Sequence, residues 1–156
     1  MSWPICLMCC LVLLTGCGKS KSPVQGRLEA QAASGAASFD FAAESPFAWD
    51  RLYIFAPYSP RASVEKSLGF AWPDYRQTSI ESSDSVCLVI FVKDSQVVHW
   101  FEQPRFVDLC DLASKKGYGR SEATFEIHRE QGRVALRSAS TPVNGEEHDG
   151  ATDAAE

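Results

Sequence analysis

Apolar side chains are concentrated in a few short segments that turn-forming residues separate. Residues 49–56 (WDRLYIFA) are rich in aromatic and β-branched side chains and predict a strand. Residues 86–92 are apolar on both faces, which is typical of a central strand covered on two sides. Residues 97–102 predict a return strand after a tight turn at residues 94–95. These segments predict a β-hairpin beside a further strand.

The two-residue loop sets the register that we expect in this hairpin. It places Val92 opposite Val97, Ile90 opposite His99 and Cys87 opposite Glu102. Alternate side chains then point to opposite sides of the sheet, because successive residues of a strand face opposite ways. One face carries Cys87, Val89 and Phe91, and the other carries Leu88, Ile90 and Val92.

A second hairpin and a short helix complete the predicted fold. Residues 122–137 alternate between apolar and charged positions on both sides of a turn at residues 129–132, as a strand pair with one wet face requires. Residues 60–68 predict a two-turn helix with Ser59 as its N-cap, and residues 70–84 predict an irregular loop. We therefore expect an α+β fold, with an antiparallel sheet of about five strands and one or two short helices.

The first 16 residues differ from the rest, with 12 apolar side chains and no charged one. The uninterrupted apolar run at residues 5–14 extends roughly 15 Å as a helix, too short to span a hydrocarbon core of about 30 Å. It fits the apolar region of a secretory signal peptide, although no Lys or Arg precedes it. The alternative is a buried N-terminal helix.

The sequence Leu14-Thr15-Gly16-Cys17 resembles the lipobox of bacterial lipoproteins. The resemblance implies cleavage between Gly16 and Cys17, followed by acylation of Cys17 on its thiol and its amine, and so a partner in the membrane. Gly18, where Asp commonly retains such proteins in the inner membrane, implies the outer membrane with the domain facing the periplasm. The inner membrane and the cell surface are the alternatives.

Beyond the signal peptide at residues 1–16, composition divides the chain into three parts. Residues 17–38 have almost no large apolar side chain, so we expect the lipidated Cys17 and a flexible tether, with a short helix at residues 24–33 as the alternative. Residues 39–138 hold 16 of the 17 aromatic residues and predict the globular domain. Residues 139–156 predict a disordered acidic tail.

Charge excludes one class of partner. The 156-residue chain has 15 basic and 20 acidic side chains, a formal net charge of −5. Five of the acidic residues lie in the tail, so the remainder of the chain is formally neutral. A dedicated nucleic-acid binder carries a basic field, and we expect no nucleic acid among the partners.

The predicted domain also resembles a family of small, uncharacterised bacterial lipoproteins. The resemblance rests on WDRLYIFAPYSP, LGFAW, CLVIFVKDSQVVHWFEQPR and ATFEIHRE. It implies the same anchor and similar domain boundaries, but no activity and no catalytic residues.

Two cysteines follow Cys17, namely Cys87 and Cys110. In an oxidising compartment they form a disulfide, which stabilises the fold by roughly 3 kcal/mol in the chain-entropy model; otherwise they are buried free thiols. Neither cysteine has a closely spaced Cys or His partner, so we expect no metal site and no cofactor.

An aromatic stretch gives the most recognisable candidate for a binding surface. Trp100, Phe101, Pro104, Arg105 and, in a separate loop, Tyr58 have the composition of a protein–protein contact. The alternative places Phe101 and Phe106 in the core and makes Arg105 a loop anchor that holds Asp108 or a carbonyl. We expect a non-enzymatic interaction module with an envelope protein as partner. The rival hypothesis is a small envelope hydrolase or glycan-binding domain, using side chains from Asp50, Glu102, Asp108 and His99.

Overall fold

The structure, a computed structural model, describes residues 21–139. The predicted signal peptide, the lipobox with Gly16 and Cys17, and all of the acidic tail except its first residue lie outside this range. The α+β prediction is confirmed. The described part contains eight strands in two four-stranded sheets rather than one sheet of about five.

Within residues 21–139 there are three α-helices and three 3₁₀ helices; the first α-helix precedes β1 and the others lie between strands. The α-helices are α1 (Pro23–Ser34), α2 (Phe41–Glu44) and α3 (Arg61–Leu68). The 3₁₀ helices are Pro73–Gln77, Cys110–Leu112 and Arg120–Glu122. Within residues 21–139, no helix has the length and apolar character that crossing a membrane requires.

The strands divide into two sheets. They are β1 (Ser38–Asp40), β2 (Arg51–Phe55), β3 (Val86–Lys93), β4 (Gln96–Pro104), β5 (Val107–Asp108), β6 (Tyr118–Gly119), β7 (Thr124–Glu130) and β8 (Arg133–Arg137). The first sheet has the order β1-β7-β8-β5, and its β5–β8 pair is parallel. The second sheet has the order β4-β3-β2-β6 and is antiparallel throughout.

Strand β3 lies between two separate apolar cores, as its uninterrupted apolar sequence predicts. Cys87, Val89 and Phe91 face the core shared with the first sheet and α1. Leu88, Ile90 and Val92 face a second core, which α3 and the segment from Trp72 to Ile80 cover. The predicted division of β3 into two faces is therefore confirmed.

The β3–β4 hairpin contains a bulge that changes the predicted register. Asp94 and Ser95 both have left-handed backbone angles, and Val92 lies opposite Val97 as expected. Beyond that pair, β4 contains one extra residue, so that Phe91 rather than Ile90 lies opposite His99. The predicted pairing of Cys87 with Glu102 is wrong for the same reason, because Cys87 lies opposite Gln103.

The predicted tether at residues 17–38 is wrong over its described part. Residues 23–34 form α1, and Val24, Leu28 and Ala32 are buried in the first core. The segment contains few large apolar residues, but their spacing of four places all of them on one helix face. The domain therefore begins no later than residue 22, and not at residue 39 as predicted.

The remaining local predictions hold in part. The second hairpin is confirmed: β7 and β8 are joined by a turn at Gln131 and Gly132. Helix α3 ends at Gly69 as expected, but the predicted N-cap hydroxyl of Ser59 donates to the Ala56 carbonyl instead. The predicted loop at residues 70–84 contains the helix Pro73–Gln77, whose Tyr75 is buried.

Candidate interaction surface and cysteine cluster

The aromatic part of the predicted binding surface is mostly internal. Phe101 is only 5% exposed and lies in the first core. Trp100, on the opposite face of β4, packs edge-on against Trp72 with ring centroids 5.5 Å apart. Because neighbouring residues of a strand face opposite ways, these two rings do not form one patch. The core interpretation of Phe101 is therefore correct.

Arg105, in the turn after Pro104, connects the end of β4 to the segment before β3 and to β5. Its guanidinium donates two hydrogen bonds to Asp108 Oδ2, at 3.1 and 2.7 Å, and a third to the Asp84 carbonyl. Its amide donates to the carbonyl of Ser85. The anchoring of Arg105 on Asp108 is the structural alternative that the sequence left open. The alternative placement of Phe106 in the core is wrong, because 60% of its surface is accessible in this turn, next to the exposed Arg105.

Phe106 borders a groove of about 620 Å³, which we call the charged groove. Three arginines and three acidic residues line it, together with His128: they are Arg105, Arg133, Arg137, Asp108, Asp111 and Glu130. Arg137 lies 3.3 Å from Asp111 and 3.6 Å from Glu130. The charges of this groove are thus largely balanced within it.

Tyr58 borders a second groove of about 600 Å³, which we call the basic groove. The charged residues that line it are Lys66 and Lys115, and Ile54, Phe55 and Ala56 supply apolar surface. Tyr58 is 60% exposed and has a φ of 61°, a left-handed conformation that is unusual for a large side chain. The predicted residue Tyr58 is therefore accessible, and none of the lining residues within 21–139 is acidic.

One segment, residues 109–115, separates the two grooves, and we call it the groove wall. Its Asp111 lines the charged groove, and its Ala113, Ser114 and Lys115 line the basic groove. The buried side chains of Leu109 and Leu112 fix the wall to the first core. A change in the position of the wall therefore alters both grooves.

The two cysteines meet where the wall joins the second sheet. Cys87 is buried on β3, Cys110 is partly exposed, and their Sγ atoms are 3.1 Å apart as free thiols. Asp108 Oδ1 accepts a hydrogen bond from the Cys110 amide at 2.9 Å and lies 3.9 Å from Cys87 Sγ. Among the described residues, the ligand atoms of these three side chains lie within 4.8 Å of one another, a grouping that could hold a metal ion. The sequence did not predict this grouping, because closely spaced ligands indicate a metal site and Cys87 is distant in sequence from the other two residues.

The surroundings keep both thiols protonated at neutral pH. Burial raises the pKa of Cys87. Burial, followed by the hydrogen bond to Asp108, raises the pKa of Cys110. Burial also tends to raise the pKa of Asp108, but hydrogen bonds from Arg105 and Cys110 lower it overall. The Asp108 carboxylate is therefore charged, and its charge disfavours the formation of a thiolate on Cys110 beside it.

The rival enzymatic hypothesis names Asp50, Glu102, Asp108 and His99. Each of these side chains has a different hydrogen-bond partner. Asp50 accepts from the Asp94 amide, and Glu102 accepts from the Ser79 hydroxyl. His99 lies 2.7 Å from the Ser22 hydroxyl, and burial lowers the pKa of this imidazole. Since His99 and Glu102 occupy opposite faces of β4 and Asp108 lies in the other sheet, the four side chains do not converge.

Comparisons of the chain with protein-family models, with curated proteins and with solved structures find no match. The function of the two grooves and of the cysteine cluster is therefore argued from their own geometry and chemistry.

Proposed function

We propose that this chain is a lipid-anchored lipoprotein of the bacterial cell envelope whose domain binds another envelope protein and catalyses no reaction. Leu14-Thr15-Gly16-Cys17 supports the anchor, and Gly18 favours the outer membrane with the domain facing the periplasm. The two grooves and their exposed aromatic residues support the binding role.

Tyr58 is the observation on which the binding role rests. A non-glycine residue with a positive φ costs about 1–3 kcal/mol, and such residues cluster at binding and catalytic sites. Asp94, Ser95 and Gln131 also have a positive φ, but they lie in the two hairpin turns. Here the strained residue presents a large aromatic ring, 60% exposed, beside two lysines and an apolar floor. Aromatic anchors of this kind contribute strongly to protein–protein binding. We propose that the basic groove accepts a partner segment that combines acidic and apolar side chains.

The partner is expected to lie near the membrane. Helix α1 begins at Pro23, and Ser22 already contacts β4 through His99. A lipidated Cys17 is then separated from the domain by residues 18–21, which bridge at most about 17 Å when fully extended. The domain is therefore held close to the lipid headgroups rather than on a long tether.

Site-specific photo-crosslinking tests the binding role. A benzophenone amino acid replaces Tyr58 in the full chain, in its native membrane, and Val98 serves as the matched control position. Val98 is also an exposed apolar side chain, 43% accessible. It lies near the β3–β4 turn, at the end of β4 that is distant from Arg105 and Phe106. We expect the Tyr58 probe to give one discrete protein adduct that the Val98 probe does not give.

Charge reversal tests which groove is used. Lys66→Glu and Lys115→Glu are expected to lower the adduct yield about tenfold, since each replaces attraction by repulsion of an acidic segment. Lys93→Glu, in the β3–β4 hairpin, is the charge-matched control and should leave the yield unchanged. Equal adducts at positions 58 and 98, or yields insensitive to both groove reversals, would contradict the proposal.

The anchor is tested separately by mass spectrometry of the membrane-extracted protein. We expect the mature chain to begin at an acylated Cys17 and Cys17→Ser to release the domain from the membrane fraction. An intact N-terminus with an unmodified Cys17 thiol would refute the anchor without affecting the binding test.

A further inference from the structure

The contact between Cys87 and Cys110 joins β3 to the groove wall. Cys87 lies on β3, in the second sheet. Cys110 lies in the groove wall, directly after β5, which is a two-residue edge strand of the first sheet. A covalent bond here would link the two sheets at the end of the domain where the exposed Tyr58 and Phe106 lie.

Two chemistries could use this contact, namely disulfide formation and the binding of a metal ion by Cys87, Cys110 and Asp108. A metal ion needs deprotonated sulfurs and an available lone pair on the carboxylate, in competition with the hydrogen bonds that the carboxylate already accepts. Asp108 Oδ2 is held by the Arg105 guanidinium at 2.7 Å, and Oδ1 by the Cys110 amide at 2.9 Å. The guanidinium also places a positive charge beside the position of the ion. A disulfide requires only the two sulfur atoms, which are already in contact at 3.1 Å.

We propose that Cys87 and Cys110 are a redox-modified pair, whose oxidation to a disulfide fixes the groove wall to the second sheet. The wall is otherwise held by the burial of Leu109 and Leu112 and by two hydrogen bonds, Ser114 N–H to the Ile54 carbonyl and Tyr118 O–H to the Leu112 carbonyl. The disulfide fixes the shape of both grooves; its effect on binding rests on the function proposed above.

The oxidation is thiol–disulfide exchange with a small-molecule or protein disulfide of the oxidising compartment. Cys110, the partly exposed sulfur, attacks as the thiolate and forms a mixed disulfide, releasing one thiol of the oxidant. Cys87 Sγ then attacks Cys110 Sγ and releases the second thiol. The two cysteine sulfurs are oxidised, the oxidant's disulfide is reduced to two thiols, and the two protons end on those thiols.

The test uses the purified full chain, equilibrated with oxidised and reduced glutathione, and peptide mapping assigns the result to individual cysteines, because the sequence has six. We expect a disulfide-linked pair of peptides that joins Cys87 to Cys110, two hydrogen atoms lighter than the reduced peptides together, with neither Cys87 nor Cys110 labelled by maleimide after denaturation. Reduction should lower Tm by about 10 °C, because the closed loop restricts the unfolded chain. Amide hydrogen exchange in residues 109–115 should be slower in the oxidised form than in the reduced form.

Single substitutions separate the two sulfurs. In Cys87→Ala, the partly exposed Cys110 should take up one glutathione, whereas in Cys110→Ser the buried Cys87 should take up none while the protein is folded. Circular dichroism of both variants verifies that they fold.

Two results would overturn the proposal. One is maleimide labelling of both Cys87 and Cys110 in the wild-type chain after equilibration under oxidising conditions. The other is one zinc ion per chain that protects both thiols and is lost in Asp108→Ala, which would identify a metal site instead. Neither readout involves a partner, so failure of the Tyr58 crosslink leaves this inference intact.

Discussion

At the scale of single residues, Asp108 connects the features at this end of the domain. Its carboxylate receives the Arg105 guanidinium, the Cys110 amide and the approach of the Cys87 thiol. The charge that it keeps disfavours a thiolate beside it, which contributes to the raised pKa of Cys110. Asp108 therefore adds to the effect of burial in keeping the Cys110 thiol protonated.

Asp108→Asn should accelerate alkylation of Cys110 in the reduced protein. The amide removes the negative charge and can still accept from the Cys110 amide, so the pKa of Cys110 falls and more thiolate is present at any given pH. We expect the midpoint of the pH–rate profile for iodoacetamide to move to lower pH. Asp111→Asn is the control, because its carboxylate faces Arg137 rather than the cysteines. An unchanged midpoint in Asp108→Asn would show that burial alone sets the pKa.

His99 should make stability sensitive to mild acid. Burial lowers its pKa in the folded protein, so the neutral imidazole is favoured by folding, and protonation favours the unfolded chain. This contribution to stability is complete above the ordinary histidine pKa of about 6.5 and is lost as pH falls through the lower folded value. Denaturant unfolding should show a smaller decrease between about pH 7 and pH 5 in His99→Gln than in the wild type.

The control for this measurement is Gln96→Ala, an exposed position of the same strand that carries no titratable group. We expect it to retain the wild-type pH dependence. Identical profiles for all three proteins would mean that His99 does not couple to folding in this range.

At the scale of elements, α1 bridges the two sheets. Its first turn is bound to β4, through Ser22 to His99 and through Gln25 to the Glu102 carbonyl. Its last turn is bound to β7, where the Arg129 guanidinium donates to the Ala32 carbonyl and also to the Ala36 carbonyl, two residues after the helix. The helix therefore depends on long-range contacts, as short helices generally do.

Leu28→Ala should destabilise the domain by about 2–5 kcal/mol, the usual cost of this change in a packed core. Leu28 is fully buried although it lies in a segment of small and polar residues. The measurement is the free energy of unfolding in urea, with Ala33→Ser, on the exposed side of the same helix, as the control. A loss below about 0.5 kcal/mol would indicate an unpacked tether.

The strands show where prediction from sequence succeeds. The faces of β3 and the β7–β8 hairpin follow from alternation and turn position, which are local properties. The bulge in β4 did not follow, because no Gly or Pro marks it and the extra residue is Val98. It is required so that His99 and Phe101 face the first core while Trp100 faces the second, which is a property of the packed sheet.

At the scale of the whole molecule, the described residues form two cores that share β2 and β3. Each strand of this central pair contributes side chains to both cores: Leu52 and Ile54 of β2 to one, Tyr53 and Phe55 to the other. Disruption of one core therefore also disturbs the other, because both cores pack against β2 and β3.

Thermal unfolding should accordingly be a single cooperative transition. We expect coincident curves from far-ultraviolet circular dichroism, tryptophan fluorescence and the exposure of the buried Cys87 thiol in the reduced protein. Trp49 reports on the first core and Trp72 on the second, so single-tryptophan variants distinguish them. Separate midpoints for Trp49 and Trp72 would show that the two cores unfold independently.

The sequence by itself determined the α+β class, the positions of the main hairpins, the two faces of β3 and the expectation of a lipid anchor at Cys17. These depend on periodicity, turn residues and a short motif, which act over a few neighbouring positions. Only the tertiary structure decided that α1 belongs to the domain, that β4 contains a bulge, and that Cys87, Asp108 and Cys110 meet. Each of these depends on contacts between distant residues, whose energies no local pattern contains.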